Sequence, residues 1–518
     1  MVAVGILLSR IFGLLRQRVL SHYLGLSDAG DAFAAAFRIP NFLQNLLGEG
    51  VLSASFIPVY ARLRAEGRND EARHLAEAVF GVLALVTSIV VLLGIVFATP
   101  LTRVLALGFP ASKLVLTVRL VRILFPGAGL LVLSAWCLGV LNSHGRFLLA
   151  YTAPVVWNVA IIASLLLSRG NGGDGGSAVA AAWGSVVGST LQFGVQLPIV
   201  FALLGRLRPA LRTRSSGMRT VIANFGTVLI GRGATQISGF VDTMLASLLG
   251  QGAVAGLASA QVLYTLPVSL FGMSVAASEL PAMSREIGSD AEVAAALRAR
   301  LGLGLRRIAF FVVPSAVAFL AFGGAIAGAL FQTGRFTTAD SRYVWTILAG
   351  STVGLLAGTM GRLYGSSYYA LGDPRTPLRF ALLRVALTTL LGYLCAVPLP
   401  RAVGIDPRWG VVGLTASAGV AAWLEYFLLK RGMDARIGKT GVPGRFLLVL
   451  WSAALASAGA AYGVAHLLTG AHPIPRATAV LAILGFTYLA LTARAGVPES
   501  RAVADAILRR GARRHSRS

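Results

Sequence analysis

Charge is scarce in this chain, and negative charge scarcest. Charged residues make up 13% of 518, and only 20 Asp and Glu stand against 46 Lys and Arg. With a mean hydropathy of +0.75, that balance excludes the ordinary soluble globular classes and fits a polytopic membrane protein. Only two cysteines are present, Cys137 and Cys395, both in apolar surroundings, so no disulfide framework and no redox compartment can be read from them. Six histidines are scattered without metal-ligand spacing, and no metal site is expected. The only stretch resembling a phosphate loop, Gly432 to Thr440, has five residues rather than four before its Gly-Lys pair and no preceding strand. The chain is therefore expected to be no enzyme, to have no catalytic residues and no cofactor, and to hydrolyse no ATP. Any energy input would come from Na+ or H+ coupling, the membrane potential or the substrate gradient.

What is there is a succession of long apolar runs. Fourteen spans are expected, at about 2–24, 30–60, 78–98, 118–141, 150–168, 178–203, 221–249, 254–278, 305–331, 342–371, 377–399, 410–429, 446–468 and 477–495. Arg10, Arg16 and Arg18 interrupt the first, and no small-residue cleavage site follows, so it reads as a retained helix rather than a signal peptide. The net charge of +26 is concentrated between the runs and in the tail, which is a membrane pattern and not a nucleic-acid patch. Even-numbered loops and the tail hold about 25 Lys and Arg, odd-numbered loops about 7. Both termini are thus expected in the cytoplasm, and the Gly-rich loop 169–177 outside. Gly13 and Gly239, Gly25 and Gly250, Pro40 and Pro267, and Arg146 and Arg375 recur at a near-constant offset of 225 to 229 residues. That offset implies two parallel six-helix halves, 1–210 and 211–435, followed by two further helices over 436–496 and a basic tail over 497–518.

The stretch Asp31–Tyr60 organises the rest. At 100° per residue, Arg38, Asn45 and Glu49 return to within about 40° of Asp31, a polar stripe roughly 27 Å long in an apolar helix. A charge at membrane depth costs about 2.5–3.5 kcal/mol, so such a stripe should face partners or water. It serves either as ion pairs between packed helices or as a path for a charged cargo. Pro40 is expected to break the helix, and Gly48 and Gly50 to permit a hinge or close approach. Arg10 either anchors the first span or, with Arg16, supplies the planar fork suited to phosphate. Asp242, inside span 7 with Arg232, is a candidate for ion coupling or for helix pairing. Arg362, Arg384 and Glu425 are further intramembrane charges, and Arg384 and Glu425 would pair with each other or with charges of the first half. Asp373-Pro374-Arg375-Thr376-Pro377 is expected to be a structural turn.

These pieces resemble the MurJ/MviN family, the lipid II flippases of the multidrug/oligosaccharidyl-lipid/polysaccharide exporter superfamily. The match rests on Ser9-Arg10, Gly13, Arg16, Asp31-Ala-Phe33, Phe37-Arg-Ile-Pro40-Asn41, Gly48-Glu49-Gly50, Ser53, Phe56 and Pro58. It continues through Leu141-Asn142, Arg146-Phe147, Ala153-Pro154, Asn158, Leu191-Gln192 and Gln196-Leu197-Pro198. Pro314-Ser315-Ala316-Val317, Leu330-Phe-Gln332 with Gly334 and Phe336, and Asp373 with Thr376-Pro377 complete it. The resemblance implies an all-α polytopic fold of two six-helix lobes in a V around a cationic cavity. The last two helices would form a groove for an isoprenoid tail. It also implies that Arg10, Arg16, Asp31 and Glu49 stand at functional positions, which with Arg38 make the candidate substrate-binding set. Two positions depart from the family pattern: Gln44 replaces a frequent Arg, and Ala260-Gln261 replaces an Asp-Arg pair.

The expected activity is movement of undecaprenyl-diphosphate-linked muropeptide (lipid II) from the inner to the outer leaflet of the bacterial cytoplasmic membrane by alternating access. Its partners would be that cargo, membrane lipids and proteins of cell-wall synthesis, with no nucleic acid. Rivals are a polysaccharide-lipid flippase or drug/sodium antiporter of the same superfamily, or a non-transporting cell-wall scaffold. Gln44 and Gln261 favour the scaffold, and the two appended helices count against the drug antiporter.

Overall fold

Backbone immersed in hydrocarbon must satisfy its own N–H and C=O groups, which favours helices over open sheets. The computed structural model describes residues 2–168, 173–205, 210, 216–283, 290–470 and 472–503, and these are helical apart from short connections. Part of the Gly-rich loop, most of the 206–219 loop, the tail from 504, and the side chains of Glu49 and Arg232 lie outside the described residues.

The chain divides into two compact units. The first comprises residues 1–256 with 333–337, the second 257–332 with 338–518. This division by packing differs from the boundary expected at 210/211.

In the first unit the helices are α1 (Val2–Leu24), α2 (Asp28–Leu47), α3 (Glu49–Ser55), α4 (Ile57–Ala65), α5 (Asn69–Val96) and α6 (Ala98–Leu105). They continue with α7 (Ala111–Ser143), α8 (Phe147–Ser168), α9 (Gly173–Leu204) and α10 (Ser216–Ser247). The buried core includes Leu120, Val132, Trp136 and Leu141 of α7, a helix buried around most of its circumference, against which α2, α5 and α9 pack. Ser27 caps α2, its Oγ accepting from Gly30 N–H at 3.2 Å. The helix runs through Pro40 and ends at Leu47, and the chain breaks at Gly48 and again at Phe56. The expected stripe is therefore interrupted. Asp31, Arg38 and Asn45 share α2, but Glu49 starts another helix, so its register with them is lost.

α11 (Ala253–Pro267) begins in the first unit, its first turn lying before residue 257, and continues in the second, where it leads through a π-helical turn, Val268–Met273, into α12 (Ser274–Met283) and the 42-residue α13 (Asp290–Phe331). The π turn begins immediately after Pro267, which has no N–H to donate to the carbonyl of the preceding turn. α14 (Thr338–Thr352) and α15 (Leu355–Ala370) meet at a 47° bend, where Gly354 lies against Gly419 with no room for a side chain. α16 (Arg375–Ala396), α17 (Pro398–Val403), α18 (Gly410–Ile437), α19 (Gly444–Leu467) and α20 (Pro473–Arg494) complete the chain.

Ten described helices are long and apolar enough to cross a bilayer, or eleven with the bent pair taken as one span. α1, α2 and α10 have spanning length but carry the charges singled out above. Together these account for all fourteen expected spans. Loop contacts follow the parity that alternation requires. Among even loops, Tyr60 Oη and His144 Nε2 share a hydrogen bond at 2.9 Å, and Arg436 pairs with Asp373 at 2.6 Å. Among odd loops, Gly108 N–H donates to Ser247 Oγ at 3.2 Å, and Arg335 N–H to His22 O at 2.9 Å.

Two structural expectations can be checked at atomic detail. Asp373 accepts from Arg375 and Thr376 N–H, each at 3.1 Å, and so caps α16. The Thr376 hydroxyl and the Arg436 guanidinium hold its carboxyl well below the usual range, at about 2. The stretch from Gly432 is the end of α18: Gly438 adopts φ 85°, and Asp434 ties down Thr440. No phosphate cradle forms there.

Candidate functional site

The charges of Asp31–Tyr60 separate into distinct environments. Asp31 is fully buried on the first turn of α2. Its carboxylate accepts from Lys113 Nζ at 2.9 Å, from Gly252 N–H at 2.7 Å and from Ala255 N–H at 2.9 Å. The last two belong to the N-terminal turn of α11, whose unsatisfied donors and positive dipole end favour an anion. Lys113 also pairs with Asp28 at 2.6 Å. Gly30 helps: a side chain there would strike the Gly25 carbonyl. Asp31 thus clamps three segments that meet at the odd-loop end, with its side chain closed off from solvent.

Half-way along α2, the Arg38 guanidinium occupies the space that a Cβ on Gly239 of α10 would need. Asp242, three residues further along α10, acts on it electrostatically. Two sequence candidates from different spans are therefore brought together, an intramembrane cation and an intramembrane acid.

Arg16 lies on α1 with its guanidinium 4.8 Å over the Trp157 ring of α8. Phe37 of α2 stacks on Trp157 at 6.0 Å, and Phe33 on Phe37 at 5.7 Å. Trp157 Nε1 is held by Ser185 of α9 at 3.2 Å, which fixes the ring under the cation. Arg16 Nε is shielded from solvent and has no hydrogen-bond partner among the described residues. Arg10 is exposed, about 120° away around α1, and has no partner among them.

In the second unit Arg384 Nη1 donates to Glu425 Oε2 at 2.9 Å, so these two pair with each other. Arg362 acts electrostatically with Glu425 and with Tyr264. Gln192 and Gln196 serve the packing of the first unit: Ser134 Oγ donates to Gln196 Oε1 at 2.7 Å and accepts from Gln192 Nε2 at 2.9 Å.

Sequence reading missed Lys113, Trp157 and Gly239. Lys113 carried a usable signal, a cation at an end of the bundle where basic residues are scarce. Gly239 stood out only as the repeat counterpart of Gly13 and Trp157 not at all, because a ring beneath a cation and a gap for a guanidinium exist only between helices.

The chain matches the family described as "Lipid II flippase MurJ" over residues 20–473. It is 33% identical over 463 residues to "Lipid II flippase MurJ" of Burkholderia cenocepacia, covering 88% of this chain and 87% of that one. A "Probable lipid II flippase MurJ" of Bdellovibrio bacteriovorus is 32% identical over 445 residues, 83% of this chain and 80% of its own. Among solved structures, a lipid II flippase MurJ in an inward closed conformation superposes with TM-score 0.78 at 22% identity, over 95% of this chain and 97% of the other. An inward-facing multidrug MATE transporter superposes less well, at 0.64 and 16% identity, over 82% and 95%.

Proposed function

From the premise that the chain belongs to the MurJ family of lipid II flippases, we propose that its arginines carry the diphosphate of lipid II between leaflets by alternating access. It is a transporter and not an enzyme. The observation that carries the residue-level reading is Arg16. A guanidinium held over an aromatic ring with its Nε unsatisfied is costly to keep, and an anionic diphosphate would satisfy it bidentately. Arg10, exposed on the same helix, would meet the headgroup first. Arg38 and Asp242 would form a charge pair that opens when one state gives way to the other. α19 and α20 pack on α13, where Tyr488 Oη donates to Phe310 O at 2.8 Å, and leave apolar faces that would accept an isoprenoid tail. The cytoplasmic membrane, and cytoplasmic termini, belong to the same proposal on the strength of the basic even loops.

Reconstituted vesicles should move labelled lipid II, and the chain should rescue cells depleted of their own lipid II flippase. Failure of both would favour a non-transporting scaffold. Orientation has its own measurement. Single cysteines in 169–177 should react with an impermeant reagent in intact cells, and cysteines in 206–219 or 509–517 should not. Outside labelling of 206–219 would overturn the topology.

Asp242 is proposed as the coupling acid, with Arg38 its resting partner. In vesicles, Asp242→Asn should remove any Na+ or H+ dependence of transport while the protein still inserts. Unchanged ion dependence would leave Asp242 as a partner that holds Arg38 and α10 in place.

A further inference from the structure

We propose that a crevice lined by Arg103, Arg119 and Arg122 in the first unit binds a membrane lipid whose headgroup bears an anionic phosphate. The crevice, about 630 Å³, lies where α6, α7 and α9 meet, and its remaining lining includes Val115, Val118, Trp183 and Val186. Val115, Arg119, Arg122 and Pro126 recur at four-, three- and four-residue steps, one stripe within about 60° on α7. Val115 is 70% exposed and Trp183 54%, so the stripe and its α9 neighbour face outward among apolar side chains, as a lipid-facing surface does.

The depth is right for a headgroup. α7 has 33 residues, about 50 Å, against a hydrocarbon core of about 30 Å, so a centred helix projects about 10 Å at each end. Arg119 and Arg122 lie about 12 and 17 Å from the start of α7, and Trp183 about 15 Å from the start of α9. Both helices start at the odd-loop end. The guanidinium groups therefore stand just inside the hydrocarbon boundary, with Trp183 at interface level.

None of the three arginines has a hydrogen bond or ion pair with a described residue. Arg119 and Arg122 unpaired at this depth, with Arg103 beside them, are costly alone, and a phosphate among them compensates the charge while an acyl or isoprenoid chain covers Trp183 and Val186. α6 supplies Thr99 and Arg103 to this crevice. Its other face, with Pro100, Leu101, Val104 and Leu105, lines a separate apolar groove of about 910 Å³. The cationic lining is thus confined to one side of α6. The site is distinct from the Arg16 and Arg38 positions and does not depend on the cargo reading, because its test reads binding.

The full chain, purified in mild detergent, is offered phosphatidylglycerol, undecaprenyl phosphate and phosphatidylcholine at equal mole fraction, and retained lipid is counted by native mass spectrometry. The wild type should retain the two anionic lipids over phosphatidylcholine. Arg119→Gln/Arg122→Gln should weaken that retention roughly 25-fold, fivefold per arginine, the factor equivalent to about 1 kcal/mol per cation. Arg119→Lys/Arg122→Lys should keep most of it. A second measurement leaves the cations intact: the fluorescence component lost in Trp183→Phe should be quenched more by brominated-tail phosphatidylglycerol than by the phosphatidylcholine analogue. Preference for phosphatidylglycerol identifies bulk lipid as the source, and preference for undecaprenyl phosphate identifies an isoprenoid carrier. Equal retention or quenching by phosphatidylcholine, or a glutamine variant that retains lipid like the wild type, overturns the proposal.

Discussion

Arg10→Ala and Arg16→Ala should each leave flippase-depleted cells unrescued, with the protein present in the membrane at wild-type level. Arg10 gives the cleaner experiment. It is exposed and touches no described partner, so its removal takes nothing from the fold. Loss of rescue would then report on the cargo. Arg16→Lys separates charge from geometry. An ammonium keeps the cation over Trp157 but lacks the planar fork, so transport in vesicles should fall roughly ten- to hundredfold, the value of one or two charge-assisted hydrogen bonds. Trp157→Leu should mimic part of the Arg16→Lys loss, because the guanidinium then has no ring to hold its plane. Cells carrying the dead variants should accumulate lipid-linked precursor and lyse. A well-expressed Arg10→Ala or Arg16→Ala chain that sustains normal growth would remove that arginine from the mechanism.

Asp31→Ala should be the most destabilising single change in the first unit. Asp31 is 0% exposed and the Lys113 side chain 4%, so removal of the acid strands a buried ammonium and two donors of α11. Breaking a buried pair of this kind costs about 3–5 kcal/mol. Asp28, much more exposed, would hold Lys113 in part in either variant, and Asp31→Asn, which keeps an oxygen for the Gly252 and Ala255 N–H donors, should cost less than Asp31→Ala. The measurement is denaturation in detergent with a double-variant cycle. Asp31→Asn with Lys113→Met should recover much of the loss of either single change, since no unpaired charge is then left inside. Transport measured on the same proteins distinguishes two roles. A stable Asp31→Asn chain that cannot transport would show that the clamp must open and close; loss of stability and transport together would show that it only holds the segments. Wild-type stability in Asp31→Ala would contradict the clamp.

The candidate set illustrates how far one-dimensional reasoning reaches. Helical periodicity placed Arg38 and Asn45 on the face of Asp31, and that holds within α2. It failed at Glu49, because the spacing rule assumes unbroken helix and Gly48 ends one. Pro40 is the reverse case. Its residue type argues for a break, yet α2 runs through it, since a single lost backbone hydrogen bond is tolerated where neighbouring helices hold the turn on both sides. Arg384 and Glu425 could be recognised as charges in need of partners, but only packing chose each for the other.

Sequence alone determined the all-α membrane class, the fourteen spans and the family, because hydropathy is a sum over local residues and the motif residues lie close together along the chain. Tertiary structure decided what each charge does. Asp31 finds Lys113 82 positions and Gly252 221 positions away. Arg16 finds a ring on α8, and Arg38 a gap left by a glycine on α10. In a low-dielectric interior the role of a charged group is set by the few groups within contact distance, and those are assembled by helix packing across hundreds of residues.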